Sequence, residues 1–140
     1  MPEHDVLVIP PDAFDEMVAD AYRAYPLEAC GLLVGRGNVV HRFVHCTNEA
    51  ASARIYSIPG RELLRAERAA EDDGLEILGV VHSHTHTEPY PSPTDVAQAP
   101  DPNWRYVIVS LKREAPETRC YRIEGESIRE VPIELGSAAG

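Results

Sequence analysis

The sequence predicts one α/β domain of the α+β type, in which a mixed β-sheet is flanked by helices. Its 140 residues are enough for one compact domain with a sizeable core. Apolar residues make up 44% and charged residues 26%, which is usual for globular proteins. Segments of strand and helix type follow one another in the order β-α-β-β-(β)-α-β-α-β-β-β, which favours a mixed sheet with helices packed against it. We expect this domain to span residues 1–135, and residues 136–140 to be a flexible tail.

Eight stretches have the length and the apolar or β-branched content of strands. The second and third are joined by a short turn and are expected to form a hairpin, whereas the fifth runs directly into a group of histidines. The expected strands are residues 6–9, 28–35, 39–46, 55–58, 77–83, 105–111, 118–123 and 127–133.

Three helices are predicted from apolar spacing and from helix-start signals. The first, residues 12–25, carries one apolar stripe that faces the core, and it ends at Pro26. The second, residues 60–73, has a similar stripe. The third, residues 92–99, begins with Ser92 as N-cap, followed by a proline at the first helical position.

Composition excludes several classes of partner. A formal net charge of −10 argues against nucleic acid, whose phosphates require a basic surface. No apolar run approaches the 18 or so residues of a membrane helix, and no leader segment is recognisable. We therefore expect a cytoplasmic protein without a membrane partner. The three cysteines form no C-x-x-C pair, which favours reduced thiols.

The most informative stretch is Gly79–Asp95, where an apolar strand enters the sequence His-Ser-His-Thr-His. His82 and His84 are two residues apart on this strand, so both point to one face while Ser83 points away. A buried strand also gives the rigid support that a metal site needs. The pair therefore predicts a metal site, although strand histidines also occur without a metal.

Asp95 has two interpretations, which the residues alone leave open. Ser92-Pro93-Thr94-Asp95 is typical of a helix start, where an acid near the third position completes a capping box. The same helix start would hold Asp95 rigidly beside the end of the strand. With His82 and His84 it would then supply three zinc ligands and leave a fourth position open, the pattern of a catalytic site.

A competing interpretation uses Glu88 in place of Asp95. His82-Ser-His84-x₃-Glu88 matches the first half of a cupin motif, which predicts a β-barrel metal protein or oxygenase. No second half of the motif follows, and the two long helices do not suit a small jelly roll. A zinc deaminase is also disfavoured, because the Pro-Cys-x-x-Cys segment is missing.

The spacing His82-Ser83-His84-x₇-Ser92-x₂-Asp95, with Glu28 upstream in Glu-Ala-Cys-Gly-Leu-Leu-Val-Gly, resembles the JAMM signature of the Mov34/MPN/PAD-1 metalloproteases. The resemblance spans nearly the whole chain and implies an MPN/JAB1-like fold with a curved sheet. It is closest to small prokaryotic members, above all the Mec-type proteases that release cysteine from a ubiquitin-like sulfur-carrier protein. Thr85 stands where many members have proline, as in the Mec-like branch.

The resemblance implies one zinc ion bound by His82, His84 and Asp95, with Glu28 as general acid/base and Ser92 stabilising the oxyanion. The implied reaction is hydrolysis of the amide bond after the C-terminal Gly-Gly of a ubiquitin-like carrier, in cysteine biosynthesis or other sulfur metabolism. A catalytically silent MPN-type interaction module is the alternative. The residues near the motif that are candidates for substrate contact are Cys30, Ser83, Thr85, His86 and Tyr90.

Overall fold

The computed structural model describes residues 5–136. The strands are β1 Leu7–Ile9, β2 Cys30–Arg36, β3 Val39–Cys46, β4 Glu76–His84, β5 Arg105–Ser110, β6 Glu117–Glu124, β7 Ser127–Val131 and β8 Ile133–Leu135. The helices are α1 Pro11–Ala24, α2 Gly60–Asp72 and α3 Pro93–Ala97. Among these described residues, no helix is long and apolar enough to cross a membrane.

The eight strands form one sheet in the order β7-β6-β5-β4-β2-β3-β1-β8. Strand β1 runs parallel to both of its neighbours, and β4 runs parallel to β5, whereas the other adjacent pairs are antiparallel. The expected mixed sheet with flanking helices is therefore confirmed.

Both faces of the sheet are covered, which buries its central strands. On one face, Met17 and Ala21 of α1 pack against a cluster that includes Val81 of β4. On the other face, Ala66 of α2 packs against Leu32 of β2. Strand β4 is consequently buried from its third residue to its end, so the histidines stand on a rigid element.

Residues 55–58 do not form the strand that the sequence favoured. The side chain of Asn48 accepts the N–H of Ser57 and donates to the carbonyl of Ile55. These backbone groups are therefore engaged by a side chain instead of a neighbouring strand. The segment becomes a loop that lies over the sheet beside β4.

Two further boundaries differ from expectation. The strand predicted at 28–35 begins only at Cys30, so Glu28 precedes it. The strand predicted at 127–133 is interrupted at Pro132, which has no N–H to donate to a ladder. Its last part, β8, pairs with β1 at the edge of the sheet opposite β7. Of the expected tail, residues 137–140 lie outside the described part of the chain.

Candidate metal centre

Three side chains meet at the C-terminal end of β4. Nε2 of His82 lies 3.2 Å from Nε2 of His84 and 3.1 Å from Oδ2 of Asp95. Nε2 of His84 lies 3.0 Å from the same carboxylate oxygen. All three residues are buried, and within residues 5–136 they are the one group of three potential ligands whose atoms converge. The fold thus brings together the three ligands expected from the sequence.

The triangle of ligand atoms suits a tetrahedral zinc ion. Zinc lies about 2.0–2.2 Å from nitrogen and oxygen ligands, which corresponds to about 3.3 Å between two ligand atoms. The observed separations of 3.0, 3.1 and 3.2 Å need only a small expansion to reach that value. Two imidazole nitrogens and one carboxylate oxygen would leave a fourth position open, as in catalytic zinc sites.

The hydrogen bonding of His84 favours a cation at the same point. Nδ1 of His84 lies 2.8 Å from the carbonyl oxygen of Glu88, so Nδ1 carries the hydrogen and donates it. Nε2 is then the ring nitrogen that faces Asp95 and Nε2 of His82. Without a metal it donates to the carboxylate, and once deprotonated it offers a lone pair to a cation.

Electrostatics sets the protonation of the three ligands. Burial lowers the pKa of His82. Burial also disfavours charge on His84, but its hydrogen bonds to Asp95 and to the Glu88 carbonyl raise its pKa overall. Burial opposes ionisation of Asp95 too, yet hydrogen bonds from both histidines hold its pKa far below the usual value. An ionised Asp95 beside a neutral His82 is the state that can bind a metal.

Asp95 reaches the histidines because it belongs to a capping box at the start of α3. Oγ of Ser92 accepts the N–H of Asp95 at 3.0 Å, and Oδ2 of Asp95 accepts the N–H of Ser92 at 2.9 Å. The capping interpretation of Asp95 is therefore confirmed, and the same carboxylate lies beside both histidines, where the metal-ligand interpretation stays a prediction. The Ser92 oxygen accepts the capping bond, so its O–H can still donate to a ligand.

Glu28 lies beside this triad although it is distant in sequence. Cys30 is the partner of His82 in the antiparallel β2–β4 ladder, so continuing that register by two residues places Glu28 opposite His84. Ser83 donates its N–H to the carbonyl of Ala29, which extends the pairing as far as this point. The Glu28 side chain is therefore expected on the same face as both histidines.

The Glu28 carboxyl is shielded from solvent. The residue is only 3% exposed, and Oε1 has no hydrogen-bond partner within the described residues. Burial raises the pKa of Glu28 to about 8, with His84 opposing the rise and Asp95 adding to it. A carboxyl of this kind, beside a potential metal site, is typical of a general acid/base.

Three of the candidate substrate contacts are buried. The Cys30 thiol lies 3.4 Å from the carbonyl oxygen of Thr47 and packs in the core beneath α2. Oγ of Ser83 accepts the N–H of Ala29 at 2.7 Å and so links β2 to β4. Oγ1 of Thr85 donates to the carbonyl of Ala53 at 3.1 Å, which links the histidine loop to the loop before α2.

The other two candidates, His86 and Tyr90, are exposed at the rim of the site. Because the Thr85 hydroxyl donates to a carbonyl, its oxygen accepts from Nδ1 of His86 at 3.1 Å. Nε2 of His86 then accepts the O–H of Tyr25 at 3.2 Å. Tyr90 packs edge-on against Tyr121, with ring centroids 5.4 Å apart.

Two residues of the site were not singled out from the sequence. The Tyr56 ring stacks on His82 with centroids 4.4 Å apart and 22° between the planes, which buries the imidazole. Asn48 donates to the carbonyl of Glu28 and organises the loop that carries Tyr56. An asparagine followed by small residues signals a turn, but nothing in the local sequence connects that turn with the histidines.

The cupin interpretation of Glu88 is wrong for this fold. Its carboxylate bonds to Lys112 and Arg113 on the surface and does not join the group of converging ligand atoms. Glu88 instead reaches the site through its backbone carbonyl, which accepts from His84.

Fold and site together are those of a JAMM-type hydrolase. The chain belongs to the family Prok-JAB, the prokaryotic homologs of the JAB domain, and the match covers residues 10–124. The family resemblance noted from the histidine motif is thereby confirmed.

Two curated relatives illustrate this membership. The chain is 40% identical over 133 residues to the CysO-cysteine peptidase of Mycobacterium tuberculosis. The aligned region covers 93% of this chain and 91% of that protein. It is 36% identical over 106 residues to the probable TtuB-protein conjugate cleaving protease of Thermus thermophilus, covering 74% of this chain and 69% of that protein.

Solved structures agree on the fold. A solution structure of a protein from Desulfitobacterium hafniense superposes with a TM-score of 0.87 at 34% identity and covers 94% of both chains. The crystal structure of a JAB1/MPN domain protein from Archaeoglobus fulgidus superposes with a TM-score of 0.63 at 23% identity, covering 94% of this chain and 100% of that one. The expected MPN/JAB1-like fold is therefore confirmed.

Proposed function

We propose that this protein is a zinc peptidase that hydrolyses the amide bond after the C-terminal Gly-Gly of a ubiquitin-like sulfur-carrier protein, releasing cysteine. The observation that carries the proposal is the convergence of two imidazole nitrogens and a carboxylate oxygen, 3.0–3.2 Å apart, beside a buried glutamate. The names of the two relatives, a CysO-cysteine peptidase and a probable TtuB-protein conjugate cleaving protease, support this substrate class.

His82, His84 and Asp95 are the residues that would hold the zinc ion. When bound, zinc supplies Lewis acidity and lowers the pKa of a water molecule from 15.7 toward about 7. Strand β4 and the capped start of α3 fix the three ligands before the metal arrives, which limits the reorganisation that binding requires.

Glu28 is the group that moves the proton. It accepts a proton from the attacking water and delivers it to the leaving amine. Burial raises its pKa to about 8 in the metal-free protein, within reach of neutral pH. A cation nearby would lower the pKa again, toward its ordinary value. Ser92 then donates its hydroxyl hydrogen to the oxyanion that develops on the carbonyl oxygen of the substrate.

The carrier tail is assigned to the loop that carries Thr85, His86 and Tyr90 and that follows directly on His84. Thr85 is buried and bonds to the carbonyl of Ala53, so this loop meets the loop before α2. A Gly-Gly tail has no side chains, which lets its backbone approach where a Cβ atom would obstruct. Cys30, on the face of His82, and Ser83, on the opposite face, hold the strands that precede this loop through their bonds to neighbouring backbone groups.

We place this reaction in the cytoplasm, in cysteine biosynthesis or another pathway of sulfur metabolism. All three cysteines are free and buried, and a reducing compartment keeps such thiols reduced. The expected partner is a ubiquitin-like protein. Nucleic acid is not expected to bind, because the net charge of −10 repels its phosphates.

The test uses purified full-length protein, a carrier–cysteine adduct and a Gly-Gly-X peptide. Wild-type protein should hold about one zinc ion per chain and release cysteine from the adduct, and Glu28→Gln should slow this release by about 10²–10⁴-fold. Glu126→Gln, at an exposed glutamate in the β6–β7 turn, is the matched control and should cleave normally.

The outcomes separate the hypotheses. If zinc-loaded wild type cleaves neither the adduct nor the peptide, the proposed reaction is refuted. Protein that binds no zinc at His82, His84 and Asp95 would instead match the silent interaction module. Cleavage of the peptide but not of the adduct would retain the peptidase and reject the carrier.

A further inference from the structure

One hydrogen bond joins the metal triad to the surface of the protein. The carbonyl oxygen of Glu88 accepts Nδ1–H of His84 at 2.8 Å and also accepts the N–H of Tyr90 at 2.8 Å. The first bond uses Nδ1 as the donor and leaves Nε2 facing Asp95 and His82, where a metal would bind.

The side chain of Glu88 is held by two cations on the far side of the same loop. Arg113 binds both carboxylate oxygens through its two terminal nitrogens, at 2.9 and 2.7 Å, and Lys112 binds one oxygen at 2.8 Å. Arg113 also bonds to Glu117 at 2.7 Å, which fixes the guanidinium on β6. Lys112 is the single lysine of the chain. These four residues are called the Glu88 clamp below.

Neighbouring carbonyls are held as well, so the loop has few ways to move. Oγ of Ser110 donates to the carbonyl of Thr87 at 2.6 Å, and the Tyr121 hydroxyl donates to the carbonyl of Pro89. The clamp is the only part of this arrangement in which the side chain of Glu88 itself is bound. Without it, the carbonyl that faces His84 would depend on its neighbours alone.

We propose that Glu88 is a positioning residue of the metal site: the clamp on its carboxylate holds its backbone carbonyl against His84, which aims Nε2 of His84 at the metal. The residue therefore acts without being a ligand. The inference rests on the proposed zinc site but not on the proposed substrate.

The size of the effect follows from two facts. Outer-shell partners of metal-binding histidines typically change metal affinity by about 10–100-fold when they are removed. The clamp is exposed, and exposed ion pairs are individually weak. Removing the clamp also leaves the backbone carbonyl of Glu88 in the chain, so the hydrogen bond to His84 is weakened and not deleted. A bidentate arginine contact within a network is stronger than a single pair, so the lower end of that range, about tenfold, is expected.

The experiment measures zinc affinity by chelator competition in the full chain. Glu88→Ala and Arg113→Ala should each weaken zinc binding about tenfold, and Arg113→Lys should recover part of the loss. The matched control is Arg119→Ala, which removes an ion pair of similar exposure between Arg119 and Glu130, away from the loop. It should change zinc affinity less than about twofold.

A second measurement follows the hydrogen bond between Nδ1 of His84 and the Glu88 carbonyl in the zinc-loaded protein. With zinc bound, ¹H–¹⁵N spectra of wild type should show a slowly exchanging Nδ1–H on His84, and Glu88→Ala should speed its exchange with water. A general loss of stability would not produce this signature. If either clamp variant fails to fold, the other gives the same test.

Zinc affinity of Glu88→Ala and Arg113→Ala equal to that of Arg119→Ala, with an unchanged exchange rate of the His84 Nδ1–H, would overturn the inference. An equal loss of zinc affinity in Arg119→Ala would also overturn the inference, because removing any exposed ion pair would then have the same effect. Neither result bears on the proposed peptidase function. That proposal fails only if wild type binds no zinc or cleaves no substrate.

Discussion

Glu28→Gln should increase the stability of the metal-free protein while it slows catalysis by about 10²–10⁴-fold. Glu28 is 3% exposed, and burial raises its pKa from 4.5 to about 8. A carboxyl whose pKa is raised on folding contributes most to stability below pH 4.5. This contribution is lost as pH rises from about 4.5 toward 8, because the unfolded chain ionises while the folded chain resists ionisation.

The magnitude follows from the same two pKa values. Each unit of pKa corresponds to about 1.36 kcal/mol, so at pH 7 the buried carboxyl lowers the free energy of unfolding by about 3 kcal/mol relative to acid. At pH 5 the corresponding loss is below about 1 kcal/mol. Glutamine has nearly the same shape and no charge, so the variant should gain most of this difference at pH 7 and little at pH 5.

Urea unfolding after metal removal with a chelator is the assay. With a slope near 2 kcal/mol per molar urea, the midpoint of Glu28→Gln should lie about 1–2 M above wild type at pH 7. The two midpoints should nearly coincide at pH 5, and Glu126→Gln should follow wild type at both pH values. A midpoint difference between Glu28→Gln and wild type that is the same at pH 5 and pH 7, or a variant less stable than wild type at pH 7, would refute the burial argument.

Three further predictions concern single positions. Asp95→Asn should lose zinc measured by atomic absorption, whereas Glu88→Ala should still hold about one zinc per chain at saturation; the reverse would restore the cupin assignment. Ser92→Ala should lower kcat about 10²–10³-fold and destabilise the protein by about 1 kcal/mol, with Ser92→Thr as the conservative control; unchanged kcat would remove the residue from the oxyanion. Gly79→Ala places a Cβ atom 1.9 Å from a backbone oxygen of β5 and should destabilise by about 3 kcal/mol or more in urea unfolding. Gly60→Ala, where no atom lies within 4 Å of the added Cβ, should be tolerated.

The convergence of the two histidines could be predicted from the sequence because their geometry is local, whereas the residues alone left Asp95 open between a helix cap and a ligand. His82 and His84 alternate on one apolar strand, and this spacing alone places both on one face. Asp95 follows a helix-start signal, and the structure shows that the capping bond itself carries the carboxylate to the histidines. In each case the chemistry and the local backbone preference agree.

The remaining parts of the site depend on pairings between distant segments. Glu28 becomes a neighbour of His84 only through the register of β2 against β4, and the residues alone could not distinguish it from other acids. Tyr56 reaches His82 because Asn48 folds the loop before α2 over the sheet. The position of β8 beside β1 is likewise set by tertiary pairing. In the local sequence, β8 looks like the end of the strand that begins at Ser127, and only Pro132 separates the two.

Zinc binding and stability should be coupled through Glu28, because the carboxyl and the metal influence each other reciprocally. A cation beside Glu28 favours the ionised carboxylate and so opposes the burial that keeps it protonated. At neutral pH, zinc binding should therefore release a proton from Glu28, and zinc should stabilise wild type more than Glu28→Gln. The burial that makes the metal-free protein less stable at neutral pH thus prepares a base whose proton leaves when the metal arrives.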